Sequence, residues 1–334
     1  MRVPFQVLLL ALGLGGAMTG AGEDLDSLVR QAHEWVARAD YSKAEQTLLA
    51  ALQRAEKDAP SSDWAAVILN NLGSLYQDQG RPWDAKRCYH RSVQIWESMG
   101  RPGSAGLAQS LNNLAGAYSD LGVYRKAEEI YRRSLELRES ILERNHPDVA
   151  RVWNNLVIVY RAQGKMGEAE EAGLRALRIF TEAPSSRPLD IAATRTNLGG
   201  VYRDQQRFAE AEQHLRQALR IWEQTATADH PGQAQPLHLL ASVYIAEGLT
   251  PAAEPLLRRA IELTKNAFGP AHPDLAPMLA QYAIVLRRAD REQEAREISR
   301  RAKTILEESL RRNLLGHTID ASQLAGKARR PSGR

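Results

Sequence analysis

The sequence predicts an all-α protein, a right-handed solenoid of about seven helix-turn-helix repeats. Two observations carry this prediction: a pattern that recurs every 42 residues, and apolar residues within each copy that follow helical spacing. One position of the pattern is always alanine: Ala85, Ala127, Ala169, Ala211, Ala253 and Ala295. A helix pair of this length cannot bury its apolar face alone, so stacked copies must supply the core.

The first helix of each copy carries a leucine, a small residue and, three residues later, an aromatic residue. In one copy these are Leu72, Gly73 and Tyr76, whose i, i+1, i+4 spacing places them on one helix face. Glycine follows at Gly80, Gly122, Gly164 and Gly248. Because a helix often ends on a residue with positive φ, these glycines predict the turn inside each repeat.

The second helix has apolar and small residues at helical spacing, as in Tyr124, Ala127, Tyr131 and Ser134. The alanines predict a close approach of the two helix backbones. We expect repeats near residues 28–58, 66–99, 108–141, 150–183, 192–225, 234–267 and 276–309. The first copy is degenerate and lies one residue out of phase.

The N-terminal residues 1–22 have the layout of a secretory signal peptide. Arg2 precedes an apolar run at residues 7–14, too short to span a bilayer, and small residues follow it. Cleavage is expected after Ala21 or Ala17, with a retained anchor as the alternative. The mature protein would then be periplasmic or extracellular in a bacterium, with the solenoid at 23–312, a basic, flexible tail at 313–334, and no transmembrane segment after the signal.

The net charge of +4 lies at the two ends of the chain. Arg2 supplies one positive charge and residues 313–334 supply three, so the repeats are neutral as a group. A nucleic-acid-binding protein concentrates positive charge on its folded face, so no nucleic-acid partner is expected. Cys88 is the single cysteine, which excludes an intrachain disulfide, and its place among core positions predicts a small buried hydrophobe.

These repeats resemble the tetratricopeptide repeat (TPR) family, and their long period resembles the kinesin light chain group. His-Pro pairs in three inter-repeat turns carry the second resemblance: His146-Pro147, His230-Pro231 and His272-Pro273. The resemblance implies a solenoid that binds a protein or peptide partner and is not an enzyme. Motor-cargo function is not implied, because the chain lacks a heptad coiled-coil arm.

No catalytic motif is present, and no cofactor or metal is expected. The three histidines are separated by multiples of 42 residues, so each lies on a different repeat and they cannot share one ion. The His-Pro pairs are better explained as helix starts, since proline suits the first helical position and the preceding residue can cap the helix.

The candidate site is a row of polar residues on the first helices. Asn71, Asn113, Asn155 and Asn197 point about 150° away from the core face of their own helices, at about 100° per residue. In TPR proteins this side forms a concave groove that holds peptides. The further predicted groove residues are Asp78, Asp120, Asp204, Arg151, Arg161 and Arg203.

Two other roles remain open for the asparagines. They could bond to neighbouring helices or simply solvate the face, and Leu239 and Gln281 end the series in the last two copies. The predicted function is a scaffold that binds a partner or an extended peptide in this groove. The alternatives are a self-assembling structural solenoid and a regulatory subunit of a separate enzyme or sensor.

Overall fold

The computed structural model describes residues 20–315, apart from residues 39, 59, 61, 101–103 and 227–228. Fourteen α-helices and one short 3-10 turn, Pro231–Gln233, make up the regular structure of these residues. The helices are α1 Gly20–Ala37, α2 Tyr41–Asp58, α3 Trp64–Asp78, α4 Pro82–Ser98, α5 Ala105–Asp120, α6 Tyr124–Ile141, α7 Pro147–Ala162, α8 Met166–Glu182, α9 Pro188–Asp204, α10 Phe208–Thr225, α11 Ala234–Ala246, α12 Thr250–Phe268, α13 Leu275–Arg288 and α14 Glu292–Leu315.

The helices form seven pairs, α1 with α2 through α13 with α14, so the predicted all-α solenoid is confirmed. Each first helix also contacts the first helix of the next pair, from α1 with α3 to α11 with α13. The second helices pack between successive first helices. The first helices therefore line the short, inner side of the curved array, here called the inner surface.

The recurring alanines lie where two helices cross. Ala127 and Ala211 are both 0% exposed, which confirms the predicted close approach of helix backbones. Two second helices are also tied to the first helix of their own pair by a buried serine. Ser92 Oγ donates to the carbonyl of Ala66 at 2.8 Å, and Ser134 Oγ donates to that of Ala108 at 2.7 Å. The small residues thus supply both space and a polar link.

The turn inside each repeat keeps one geometry whether or not glycine occupies it. The four predicted glycines have φ between 68° and 81°, as expected. Gln206 and Asp290 hold the equivalent positions with φ of 61° and 57°. In both kinds of turn the next amide returns to the helix: Arg81 N and Arg207 N each donate to a tyrosine carbonyl at 2.8 Å. These bonds satisfy helix-end carbonyls and hold the left-handed residue.

Helix ends depart slightly from the predicted boundaries. Pro147 and Pro188 begin α7 and α9, three and four residues before the predicted starts, because proline fits the first helical position. His146 caps α7 by accepting a hydrogen bond from Asp148 N at 3.1 Å, as expected for the His-Pro turn. The last helix, α14, continues to Leu315, past the predicted end of the solenoid at 312.

The predicted terminal segments lie mostly outside the described residues. Residues 1–19 of the predicted signal peptide and residues 316–334 of the predicted tail belong to this group. The helix α1 begins at Gly20, so the predicted cleavage after Ala21 falls within its first turn. Among the residues that are described, no helix combines the length and apolar character needed to cross a membrane.

The curve of the array brings distant turns together. The His272 imidazole Nε2 lies 3.3 Å from the carbonyl oxygen of Asp78, 194 residues away in sequence. His272 Nδ1 accepts a hydrogen bond from Asp274 N at 3.3 Å, which assigns the ring proton to Nε2. Pro273 packs over Gly80 so closely that a Cβ there would lie 3.0 Å from its ring. The turn before α13 therefore touches the turn after α3.

Candidate functional site

The asparagines of the inner surface form hydrogen bonds between successive repeats. Asn113 Nδ2 donates to Asn70 Oδ1 at 3.2 Å. Asn155 repeats this bond to Asn112 at 3.0 Å, and Asn197 repeats it to Asn154 at 3.0 Å. Each donor follows its acceptor by 43 residues. The helical wheel considers only the core of a single helix, whereas these asparagines also bond to the preceding first helix.

Asn71 differs from the other three asparagines because it is buried, with 9% of its surface exposed. Its Nδ2 donates to the Val67 carbonyl at 3.0 Å, and its Oδ1 lies 3.3 Å from His33 Nε2. His33 belongs to α1, the first helix of the degenerate copy. The side chain therefore joins the first two repeats.

The predicted charged residues form a second set of links at the C-terminal ends of the first helices. Arg161 Nε and Arg203 Nη2 each lie 2.5 Å from a carboxylate oxygen of Asp204. Burial alone would raise the pKa of Asp204, but these two arginines outweigh it and hold the pKa below its ordinary value. Asp120 accepts a hydrogen bond from Gln77 of the preceding repeat. Asp78, at the end of α3, meets the His272 turn described above.

The inter-repeat bonds leave hydrogen-bonding capacity for a ligand. A primary amide has two N–H donors and a carbonyl acceptor. Asn155 Nδ2 makes one bond to the preceding repeat, and Asn197 Nδ2 makes two, to Oδ1 and the backbone carbonyl of Asn154, so these bonds use neither side-chain oxygen. Asn155 and Asn197 line an open cavity of about 210 Å³ on the inner surface, together with residues of α5, α7, α9 and α11. Structural bonding and ligand contact are therefore compatible at these two positions.

Only some of the predicted site residues line the cavity. Arg151, Asn155 and Asn197 line it. The other predicted positions lie elsewhere on the first helices: Asn71, Asn113, Asp78, Asp120, Asp204, Arg161 and Arg203. The lining also includes Phe180 and Trp222 from second helices. The cavity thus combines amide groups, charges and aromatic rings from four successive repeats.

Sequence reasoning missed three of the charged cavity residues, Arg138, Arg187 and Asp190. Arg138 lies on a second helix and Arg187 in an inter-repeat turn, so neither falls on the first-helix face from which the groove was predicted. Burial, opposed by Asp148, lowers the pKa of Arg138. The sequence did contain a signal for Arg138. It stands 42 residues after Trp96 and 42 before Phe180, so an arginine occupies a repeat position that is aromatic in the neighbouring copies.

Other reactive side chains have structural surroundings. Cys88 is 1% exposed, and burial raises the pKa of its thiol to about 12, which fits the predicted buried hydrophobe. His230 Nδ1 accepts from Gly232 N at 3.1 Å, as His146 does in its own turn. Within the described ranges, no group of three or more His, Cys, Asp or Glu side chains could hold a metal ion.

A family model described as "Tetratricopeptide repeat" matches residues 36–98, 106–182, 190–266 and 237–308, which together exceed half of the chain. The chain belongs to the tetratricopeptide repeat family. This membership agrees with the seven helix pairs and with the alanines buried at their crossings. No curated protein matches the chain.

Several solved structures are similar to this chain. A Rap protein complexed with competence and sporulation factor is 15% identical, with a TM-score of 0.66 over 90% of this chain and 80% of that one. NprR in complex with its cognate peptide NprX is 16% identical, with a TM-score of 0.65 over 92% and 85%. A putative kinesin light chain TPR-like repeat protein of Podosopora anserina is 25% identical, with a TM-score of 0.45 over 59% and 94%.

Proposed function

We propose that this TPR protein is a scaffold that holds an extended segment of a partner protein along its inner surface. The observation that carries the proposal is the cavity of about 210 Å³, to which four successive first helices contribute side chains. An extended chain exposes backbone donors and acceptors that the amides of Asn155 and Asn197 can pair with. The NprR complex shows that a TPR solenoid can hold a peptide, which supports this choice of ligand.

The test is to select peptides that bind the wild-type chain and then to measure whether they still bind a variant whose cavity is filled. Random decapeptides displayed on phage are selected against the full chain, and the enriched peptides are then titrated as synthetic ligands. Ala193 lines the cavity, so Ala193→Trp fills it and is expected to abolish binding. Ala246, exposed on α11 and absent from the lining, provides Ala246→Trp as the matched control. Equal binding by Ala193→Trp and its control contradicts the proposal.

Self-assembly is the second candidate function, and the last repeat supplies the observation that favours it. Leu306 and Leu310 on α14 are 54% and 53% exposed, and their i, i+4 spacing places them on one helix face. A second copy of the chain could cover them. Sedimentation velocity over a concentration series tests this: Leu306→Ser/Leu310→Ser is expected to abolish any dimer, while a monomeric wild-type chain rules this candidate out.

We further propose that the protein is exported, on the strength of Arg2, the apolar run at 7–14 and the small residues after it. Expression in a bacterium with a general secretion system, followed by fractionation and N-terminal sequencing, tests this. The expected product lies outside the cytoplasm and begins near residue 18 or 22. A soluble mature species that retains Arg2 contradicts the proposal.

A further inference from the structure

At one position near the C-terminal end of the second helices, the residue is aromatic in three repeats and charged in one. This position holds Trp96, Phe180 and Trp222 in three repeats, each at most 2% exposed. The same position holds Arg138 in the third repeat, and this arginine is 5% exposed. A charge therefore stands in the core where an aromatic ring packs in three other copies. Burying a charge is unfavourable, so a packing role alone does not account for Arg138.

The residue that packs against this position also differs: it is a glycine opposite two of the tryptophans and an aspartate opposite the arginine. Trp96 packs against Gly106, and Trp222 packs against Gly232, so closely that a Cβ on either glycine would overlap the ring. Asp148 takes the place of those glycines after Arg138. Its carboxylate Oδ2 lies 3.2 Å from Arg138 Nη1. At this repeat junction an ion pair between buried Arg138 and half-buried Asp148 stands where two other junctions have an apolar Trp–Gly contact.

This ion pair is part of a chain of five charged groups. Arg151 bonds to Asp148 and lies 3.2 Å from Asp190 through Nη2. Arg187 completes the chain, with its Nε and Nη2 at 3.1 and 3.0 Å from the Asp190 carboxylate. Three guanidinium groups therefore share two carboxylates, which leaves one positive charge uncompensated within this cluster.

The cluster also retains donors that face no protein acceptor. Arg138 Nε and Arg151 Nε have no hydrogen-bond partner in the part of the chain that the structure describes. Arg138, Arg151 and Arg187 all line the cavity, and Asp190 is the single carboxylate among its lining residues. An anion that enters the cavity would neutralise the excess charge and accept hydrogen bonds from guanidinium groups.

We propose that this cluster is an anion subsite that receives the carboxylate of an aspartate or glutamate side chain from the bound segment. The assignment rests on the proposed scaffold function and names the chemistry of its ligand. One excess charge matches a carboxylate better than a dianionic phosphate. Repeats continue on both sides of the cavity, α1 to α4 before it and α13 and α14 after it, so a segment passing through presents a side chain there.

The probes are pools of fluorescein-labelled decapeptides with an amidated C-terminus and one fixed residue, measured by fluorescence polarisation. The fixed residue is glutamate, glutamine or phosphoserine, and each pool is also made as the free acid. Full-length wild-type protein is expected to bind the best glutamate pool about tenfold more tightly than the matching glutamine pool, since a charge-assisted bond replaces a neutral one. The preference should persist in the amidated pools.

Three variants test the cluster, and one variant serves as the control. Arg138→Trp/Asp148→Gly installs the Trp–Gly pair of two other repeats, so it removes the charge while offering a packing already present in the array. Arg187→Gln removes the cation at the exposed end of the cluster. Both are expected to abolish the glutamate preference, whereas Arg133→Gln should retain it, because Arg133 lies on the same helix but is exposed and pairs with Glu97.

Asp190→Asn separates electrostatics from a general loss of structure. This variant raises the excess charge from one to two, so binding of the glutamate and phosphoserine pools should tighten severalfold. Structural damage predicts weaker binding instead. Thermal unfolding of each variant, followed by circular dichroism, checks that the solenoid is intact.

The outcomes distinguish the subsite from the scaffold. Peptide binding without a glutamate preference, or with a preference unchanged in the Trp–Gly variant, overturns the subsite and leaves the scaffold intact. A preference for free-acid pools that disappears on amidation assigns the cluster to a chain terminus and also overturns the side-chain proposal. Failure of every pool to bind wild-type protein overturns the scaffold proposal and the subsite with it.

Discussion

Replacing Asn155 with alanine should weaken the junction between the third and fourth repeats. Its Nδ2 donates to Asn112 Oδ1 at 3.0 Å, and Asn112 is 8% exposed, so water has poor access to the freed oxygen. A net hydrogen bond contributes about 1 kcal/mol, and a buried acceptor left without a partner costs about 1–3 kcal/mol. We therefore expect Asn155→Ala to lower the free energy of unfolding by about 1–2 kcal/mol.

A double-mutant cycle isolates this bond from the other effects of each substitution. Wild type, Asn155→Ala, Asn112→Ala and the double variant are unfolded in urea, with circular dichroism and tryptophan fluorescence recorded together to check for coincident transitions. The coupling energy should be about 1 kcal/mol. Asn266, exposed on α12, provides Asn266→Ala as a control expected within about 0.5 kcal/mol of wild type. A coupling energy below about 0.3 kcal/mol refutes the inter-repeat bond.

Three further features of the fold can be tested by substitution or chemical modification: the left-handed turns, the Cys88 thiol and the buried His238. Gln206→Gly and Asp290→Gly should each raise the free energy of unfolding by about 0.5–1 kcal/mol in urea titrations, because both residues have positive φ, while Gly164→Ala should lower it. A destabilised Gln206→Gly would contradict this. The Cys88 thiol, with its pKa raised to about 12 by burial, should react with Ellman's reagent at pH 8 only as fast as the protein opens, so immediate modification would show that the thiol is accessible. Burial lowers the pKa of His238 to about 4 from 6.5, so the native state disfavours the protonated ring. The free energy of unfolding should therefore decrease as the pH falls from 6.5 toward 4. His238→Gln should make the free energy of unfolding less dependent on pH in this range. An unchanged slope in the variant would assign the loss of stability to other groups.

The repeat architecture could be predicted from the sequence because each repeated residue serves a contact within its own helix pair or turn. An alanine such as Ala127 is needed wherever two helices cross, and its helical spacing identifies the face it occupies. The left-handed turn at Gln206 escaped prediction because neighbouring backbone bonds, and not the residue type, hold its geometry.

The inner surface was predicted less completely, since its geometry depends on contacts between repeats. A helical wheel for α3 shows where Asn71 points, but not that α1 covers it. The charged cluster joins a second helix, two first helices and a turn, so no single-helix pattern contains it. Comparison of equivalent positions between copies would have found Arg138, because an arginine there interrupts a series of aromatic residues.

The contact between the His272 turn and the end of α3 links two repeats that are not neighbours in the array, so the repeats between them are held at both ends. In an ordinary solenoid each repeat touches its neighbours alone, so fraying can start at either end and proceed stepwise. Here a bridge joins residues 194 positions apart, and the repeats between Asp78 and His272 cannot spread without breaking it. Amide hydrogens across this span should therefore exchange as one cooperative unit, while α14, beyond the bridge, should exchange sooner.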